Sequence, residues 1–180
     1  MIDVVKKILS KVTKDHRGFF HETYNRRYYA ELGIDLEFVQ DNHSLSRNLN
    51  TIRGLHFQAP PHAQAKLIRC ARGAIYDVVV DIRRGSPSYG QWEGYELTEE
   101  AGDQLFVPVG FAHGFLTLMP DTEIVYKCSD FYAPKFEGAV RWDTCQIDWP
   151  LSGEPILSDK DQEASPLDDF DSPFFYGENS

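Results

Sequence analysis

The run Arg53-Gly54-Leu55-His56-Phe57-Gln58, with Lys66 ten residues beyond His56, sets a histidine and a lysine on short apolar stretches that read as neighbouring strands. Downstream lie Gly110-Phe111-Ala112-His113-Gly114-Phe115 and the pair Tyr126-Lys127. An imidazole titrates near neutral pH and suits a general base, an effect typically worth ~10²- to 10⁴-fold. A fixed ammonium where negative charge develops acts as an oxyanion donor, and loss of a comparable donor costs ~10²- to 10³-fold. A phenol can return a proton. These are the groups needed to remove a proton next to a carbonyl, hold the enolate and reprotonate it. No nucleophile elbow, metal-ligand cluster or phosphate loop competes with them in the sequence.

Each residue also has a plainer reading. A strand histidine is often a core residue satisfied by a backbone carbonyl. Arg53 and Lys66 weigh against that for His56, because packing alone does not call for so many polar groups in an apolar stretch. Lys66 reads equally as a strand-end lysine with its head in water. Tyr126, in Ile124-Val125-Tyr126-Lys127, is by periodicity either a buried structural tyrosine or an acid on the face opposite the base. Asp161, in Ser158-Asp159-Lys160-Asp161, is a solvated loop acid unless the tail folds back to hydrogen-bond His56.

The elements that must position these groups are mostly strands. Short β-rich runs occupy 67–70, 75–82, 91–97, 104–107, 115–119 and 123–128, separated by turn signals such as Arg72-Gly73, Gly85-Ser86-Pro87 and Pro120-Asp121. Many short strands at close spacing predict a sandwich, barrel or jelly roll. One helix is expected over 26–32, with Asn25 as N-cap and Gly33 just past its end. The 180 residues fit one domain, 1–180, long enough to bury a core. From about Leu151 the chain is punctuated by Pro, Asp and Ser, and 151–180 reads as an acidic tail whose aromatics, Phe170, Phe174, Phe175 and Tyr176, pack on the body.

Charge narrows the function classes. The net charge is -10, but eight acids and one lysine fall in 152–180, so the body is nearly balanced. A broad basic face for nucleic acid is absent. Local basic residues, Arg17, Arg53, Lys66, Arg69 and Arg72 among them, suit one small phosphorylated ligand. Three cysteines, Cys70, Cys128 and Cys145, lack metal-ligand spacing and read as reduced thiols of a cytoplasmic protein. No signal peptide and no membrane span is expected.

Taken in order, the motifs resemble the dTDP-4-dehydrorhamnose 3,5-epimerase family. They are Asp15-His16-Arg17-Gly18-Phe19-Phe20 with Glu22, Phe38-Val39-Gln40-Asp41-Asn42, the Arg-Gly-Leu-His-Phe-Gln segment, Gln64-Ala65-Lys66-Leu67, Gly110 to Phe115, Tyr126-Lys127 and Leu157-Ser158-Asp159-Lys160-Asp161. The resemblance implies a mainly β, cupin-type jelly-roll barrel with a short N-terminal helix and an irregular C-terminal tail. It implies a homodimer with no metal and no other cofactor. Metal-binding cupins usually present His-x-His with a Glu. Here that pair is absent, and His56 and His62 straddle Pro60-Pro61, which counts against a metal-dependent cupin enzyme. The implied substrate is a dTDP-4-keto-6-deoxyhexose such as dTDP-4-dehydro-6-deoxy-D-glucose. It would be converted to dTDP-4-dehydro-L-rhamnose in dTDP-rhamnose biosynthesis, as for a lipopolysaccharide O-antigen. Relatives that epimerise only C3 or only C5 are the alternative. By resemblance His56 is the base, Asp161 its partner, Tyr126 the acid and Lys66 the enolate stabiliser. His113 lines the sugar site. Arg17, Glu22, Gln40, Asp41, Asn42, Arg53, Glu137 and Lys160 hold the nucleotide sugar, and Tyr132 stacks on thymine.

Overall fold

Side-chain alternation along the strands decides what faces inward in this protein. The structure is a computed structural model that describes residues 4–177 of the chain. The N-terminal part holds β1 (Lys6–Ile8), β2 (Val12–Asp15), β3 (Gly18–His21), helix α1 (Arg26–Glu31) and β4 (Gln40–Ser46). The central part holds β5 (Ile52–Gln58), β6 (Lys66–Arg72), β7 (Ala74–Asp81), β8 (Trp92–Thr98) and β9 (Gln104–Val107). β10 (Phe111–Thr117), β11 (Thr122–Cys128), β12 (Glu137–Ala139) and the one-turn helix α2 (Asp159–Gln162) follow. One five-stranded sheet has the order β1-β9-β6-β11-β4, a second has β12-β5-β10-β7-β8, and β2-β3 form a separate hairpin.

The two large sheets face each other across a shared core of Ile68, Cys70, Ile75, Val79, Leu105, Phe111, Phe115 and Ile124. The outer face of the second sheet is covered as well. Leu55, Phe57, Val78, Val80 and Ala112 pack there with Cys145 and Trp149, and with Leu167, Phe170 and Phe174 of the tail. The outer face of the first sheet is covered near α1, where Tyr29 and Ile34 meet Leu67 and Phe106. Strands β7 and β10, buried on both faces, therefore carry nearly continuous apolar runs. Three parallel bridges tie the later chain down: Thr51 to Ile156, Val140 to Ser165 and Arg84 to Phe175.

The expected strand runs fall on β6 to β11. β10 starts at Phe111, earlier than the expected 115, because Gly110 at φ +90° closes the turn and lets the His113 motif run extended. The polar β4 was not among the expected runs, since its alternation sets polar groups toward both solvent and cavity. Asn25 caps α1 as expected, its side chain accepting from the backbone N–H groups of Arg27 and Tyr28. The predicted barrel is corrected in one respect. The two five-stranded sheets do not hydrogen-bond into a closed cylinder, so the arrangement is a jelly-roll-like sandwich.

Candidate active site

Strand parity aims the chemistry at the space between the sheets. On β5, Leu55 and Phe57 face the outer core, so His56 faces inward. On β10, Phe111 and Phe115 belong to the inner core, and His113 shares their face. On β6 and β11, Ile68 and Ile124 are inner, which turns Lys66 and Tyr126 inward too. The histidines come from the second sheet, and the lysine and tyrosine from the first.

Two glycines let the histidines stand side by side. A Cβ on Gly54, at φ +134°, would lie 2.5 Å from Gly114 Cα, and a Cβ on Gly114 would lie 2.7 Å from the Arg53 carbonyl oxygen. Only glycine tolerates such an approach of two backbones. β5 and β10 close together there, and His56 pairs with His113 in register.

The resulting cavity has a volume of about 440 Å³ and is lined by His56, Lys66, His113, Tyr126, Arg53, Glu137, Lys160 and Asp161, among others. His56 Nε2 lies 2.6 Å from Asp161 Oδ1. His56 is partly exposed to the cavity, whereas Asp161 is buried. Burial pushes the Asp161 carboxyl up. Hydrogen bonds from His56, the Ser158 hydroxyl and the Gly54 backbone, with the charge of His56, outweigh it and hold the group below its ordinary value. Asp161 is thus a carboxylate that fixes the orientation of the His56 imidazole.

Lys66 is pulled below the ordinary lysine range by burial, while Cys128, Asp77 and Glu137 favour its charged form. Tyr126 is pushed above the ordinary tyrosine value by burial first, with Cys128 acting in the same sense and Arg53 against it. Its phenol therefore carries its proton at neutral pH. Arg53 is held by Ser46 Oγ at 3.1 Å and the Leu45 carbonyl at 3.3 Å.

A second hollow of about 300 Å³ shares His56, Lys66, Tyr126 and Glu137 with the first and adds Gln40, Asn42 and Tyr132. Glu137 sits at the junction. It accepts from Lys160 Nζ at 2.6 Å and from the Tyr132 hydroxyl at 2.8 Å. Gln40 accepts from the Tyr132 backbone N–H at 2.8 Å and donates to Asn42 at 3.0 Å.

Three of the expected residues are not brought to this cavity in their own chain. Asp41 alternates outward on β4 between Gln40 and Asn42 and pairs with Lys127 at 2.8 Å. Arg17 sits at the tip of the β2-β3 hairpin, paired with Asp15 at 2.6 Å. Glu22 follows β3 and accepts from Asn25 at 3.1 Å, in a groove with Phe20 and Tyr28.

Sequence reasoning missed Asp77, which is fully buried and lies 2.8 Å from His113 Nε2. A lone acid inside Ile75-Tyr76-Asp77-Val78-Val79 was the available signal. It also missed Ser44 and Ser158 on the cavity wall and Cys128 in the second hollow. Among the described residues no three His, Cys, Asp or Glu side chains gather as a metal-ligand group. His62 pairs instead with Asp130 at 3.1 Å.

Residues 1–169 match the family described as dTDP-4-dehydrorhamnose 3,5-epimerase. The chain is 50% identical over 161 residues to the protein of that name from Salmonella typhimurium, covering 88% of this chain and 87% of the relative. It superposes with a TM-score of 0.91 and 44% identity on dTDP-6-deoxy-D-glucose-3,5-epimerase from Legionella pneumophila, solved with dTDP-4-keto-L-rhamnose, covering 95% and 92% of the two chains. The Bacillus anthracis dTDP-4-dehydrorhamnose 3,5-epimerase, with TDP and PPi bound, gives a TM-score of 0.88 at 47% identity, covering 91% and 94%.

Proposed function

Because this chain belongs to the dTDP-4-dehydrorhamnose 3,5-epimerase family, we propose that its cavity inverts C3 and C5 of dTDP-4-dehydro-6-deoxy-D-glucose to give dTDP-4-dehydro-L-rhamnose. The observation that carries the reading is the pairing of His56 with Asp161 on one wall, facing Lys66 and Tyr126 from the opposite sheet.

The 4-keto group acidifies the hydrogens on both neighbouring carbons, since loss of either gives an enolate on the same oxygen. His56 takes the proton, and the electron pair moves onto the carbonyl oxygen. The Lys66 ammonium stabilises that oxyanion in a site of low dielectric. Tyr126 returns a proton to the other face, and inversion follows because departure and arrival use opposite walls. Once His56 has released its proton to solvent and Tyr126 has regained one, a shift of the ring brings the second carbon to the same groups. Asp161 keeps its charge and holds the imidazole. Arg53 and Lys160 face the diphosphate, to which a guanidinium offers a planar bidentate fork. His113 contacts the sugar, Gln40, Asn42 and Glu137 hold the nucleoside side, and Tyr132 stacks on thymine.

The enzyme acts as a homodimer of single-domain chains in this reading, because Arg17 and Glu22 lie away from their own cavity. The hairpin that carries Arg17 exposes Phe19 and Phe20, 63% and 73% accessible, a surface suited to a second copy. Its docking delivers Arg17 and Glu22 to the neighbouring cavity. A cytoplasmic location is supported by the three unpaired, buried cysteines.

Incubation with dTDP-4-dehydro-6-deoxy-D-glucose in D₂O, followed by NMR, tests the reaction. Deuterium and inversion at both C3 and C5 are expected. Label and inversion at one carbon would make the enzyme a single-site epimerase, and no label would reject the enolate mechanism on this substrate.

A further inference from the structure

The segment 156–162 forms one wall of the cavity with Ile156, Leu157, Ser158, Lys160 and Asp161. It is tied to β5 and the residue before it by the Thr51 to Ile156 bridge, the Ile52 N–H to the Ile156 carbonyl at 2.9 Å, the His56 to Asp161 hydrogen bond and the Gly54 backbone bond to the Asp161 carboxyl. Between them lies α2, a single turn. One turn of helix has no cooperative stability of its own. The direction of Asp161 is therefore set by the bonds from β5 together with whatever holds the turn's own backbone.

Ser158 is the N-cap of that turn. Its hydroxyl accepts the Asp161 backbone N–H at 3.2 Å, and its carbonyl accepts from Asp161 and Gln162 at 3.1 Å each. Asp161 is the third residue of the turn, the place where an acidic side chain in a capping box reaches back to the cap's own N–H. Here that reciprocal bond is given up, because Asp161 Oδ1 is aimed at His56 Nε2, 2.6 Å away. Half of the motif remains, and it holds the backbone of the residue that holds the base. The same short turn sets Lys160 against Glu137 on the cavity wall.

We infer that Ser158 is a positioning residue for the epimerisation: its hydroxyl locks the α2 turn so that Asp161 keeps the His56 imidazole oriented for proton transfer. The inference rests on the base assigned to His56 under the proposed function. Ser158 acts through Asp161, so its loss should lower kcat and leave KM in place, the pattern of an interaction that matters only in the transition state.

The test compares Ser158→Gly with Ser158→Thr. Glycine is tolerated at an N-cap nearly as well as serine but has no hydroxyl, and threonine keeps the hydroxyl. For Ser158→Gly a fall in kcat of about tenfold is expected, part of the ~10²- to 10⁴-fold a positioned base supplies. KM and the unfolding temperature should stay near those of the unaltered enzyme, and Ser158→Thr should keep most of the turnover. Unchanged kcat in Ser158→Gly would overturn the inference. So would equal losses in both variants, or a raised KM at constant kcat, which would make the hydroxyl a substrate contact. If Ser158→Gly unfolds, failure of Ser158→Thr to keep turnover overturns the inference by itself. If the unaltered enzyme takes up no deuterium at either carbon, the proposed function fails instead, which separates the two cases.

Discussion

In the proposed reaction His56 is the base, Lys66 the oxyanion donor and Tyr126 the acid. Burial opposes the charge of Lys66, which Cys128, Asp77 and Glu137 favour. Asp161 stays ionised beside His56, and burial keeps the Tyr126 phenol protonated. Replacing His56 by alanine or Tyr126 by phenylalanine should each lower kcat by ~10²- to 10⁴-fold. Binding of dTDP, measured by calorimetry, should be largely unaltered, because neither residue is assigned to the nucleotide. The two variants should differ in stability. Tyr126→Phe keeps the packing, whereas His56→Ala strands the buried Asp161 carboxylate, and a partner lost from a charged group costs ~1 to 3 kcal/mol or more. A thermal melt of both proteins checks this. Full activity in either variant would remove the role given to that residue. His56 and Lys66 were legible from sequence because both break apolar runs. Asp77 breaks one too, but its meaning depends on His113, a neighbour 36 positions away that only strand pairing supplies.

At the scale of elements, the site depends on how closely β5 and β10 approach. Gly54 and Gly114 make that contact, and neither neighbour can yield, because the atoms met are backbone. Gly54→Ala should therefore destabilise the fold by at least ~2 kcal/mol, with contributions from a positive φ and from overpacking. Chemical denaturation reads the loss directly. Activity should fall further than stability explains at temperatures where the variant is folded, since a displaced β5 carries His56 with it. A denaturation midpoint equal to that of the unaltered chain would show that the two strands can separate at no cost. The Arg-Gly-Leu-His and Ala-His-Gly runs displayed both glycines in the sequence. Their mutual contact was not visible, because 60 positions separate them in the chain.

For the whole molecule, the sharpest question is how Arg17 meets a cavity that its own hairpin does not line. If the partner's Arg17 completes each site, mixing two inactive proteins should restore turnover. In a heterodimer of Arg17→Ala and His56→Ala chains, the Arg17→Ala chain keeps its His56 and borrows Arg17 from the other. That makes one intact site, and subunit exchange should recover a sizeable share of the activity. A mixture that exchanges subunits yet stays as inactive as its parts would place Arg17 in its own chain's site or outside catalysis. By itself the sequence determined the β-rich class, the Asn25-capped helix, the acidic tail and the short polar motifs. Each of these rests on local pattern: period, turn residues, caps and charge. Tertiary structure alone decided that the sheets stay open, that Asp41 faces away from the cavity and that Arg17 is remote from it. It also brought Asp161 back across 105 residues to His56. Those outcomes depend on sheet pairing and on which faces are buried, and both are set by residues far apart in the chain.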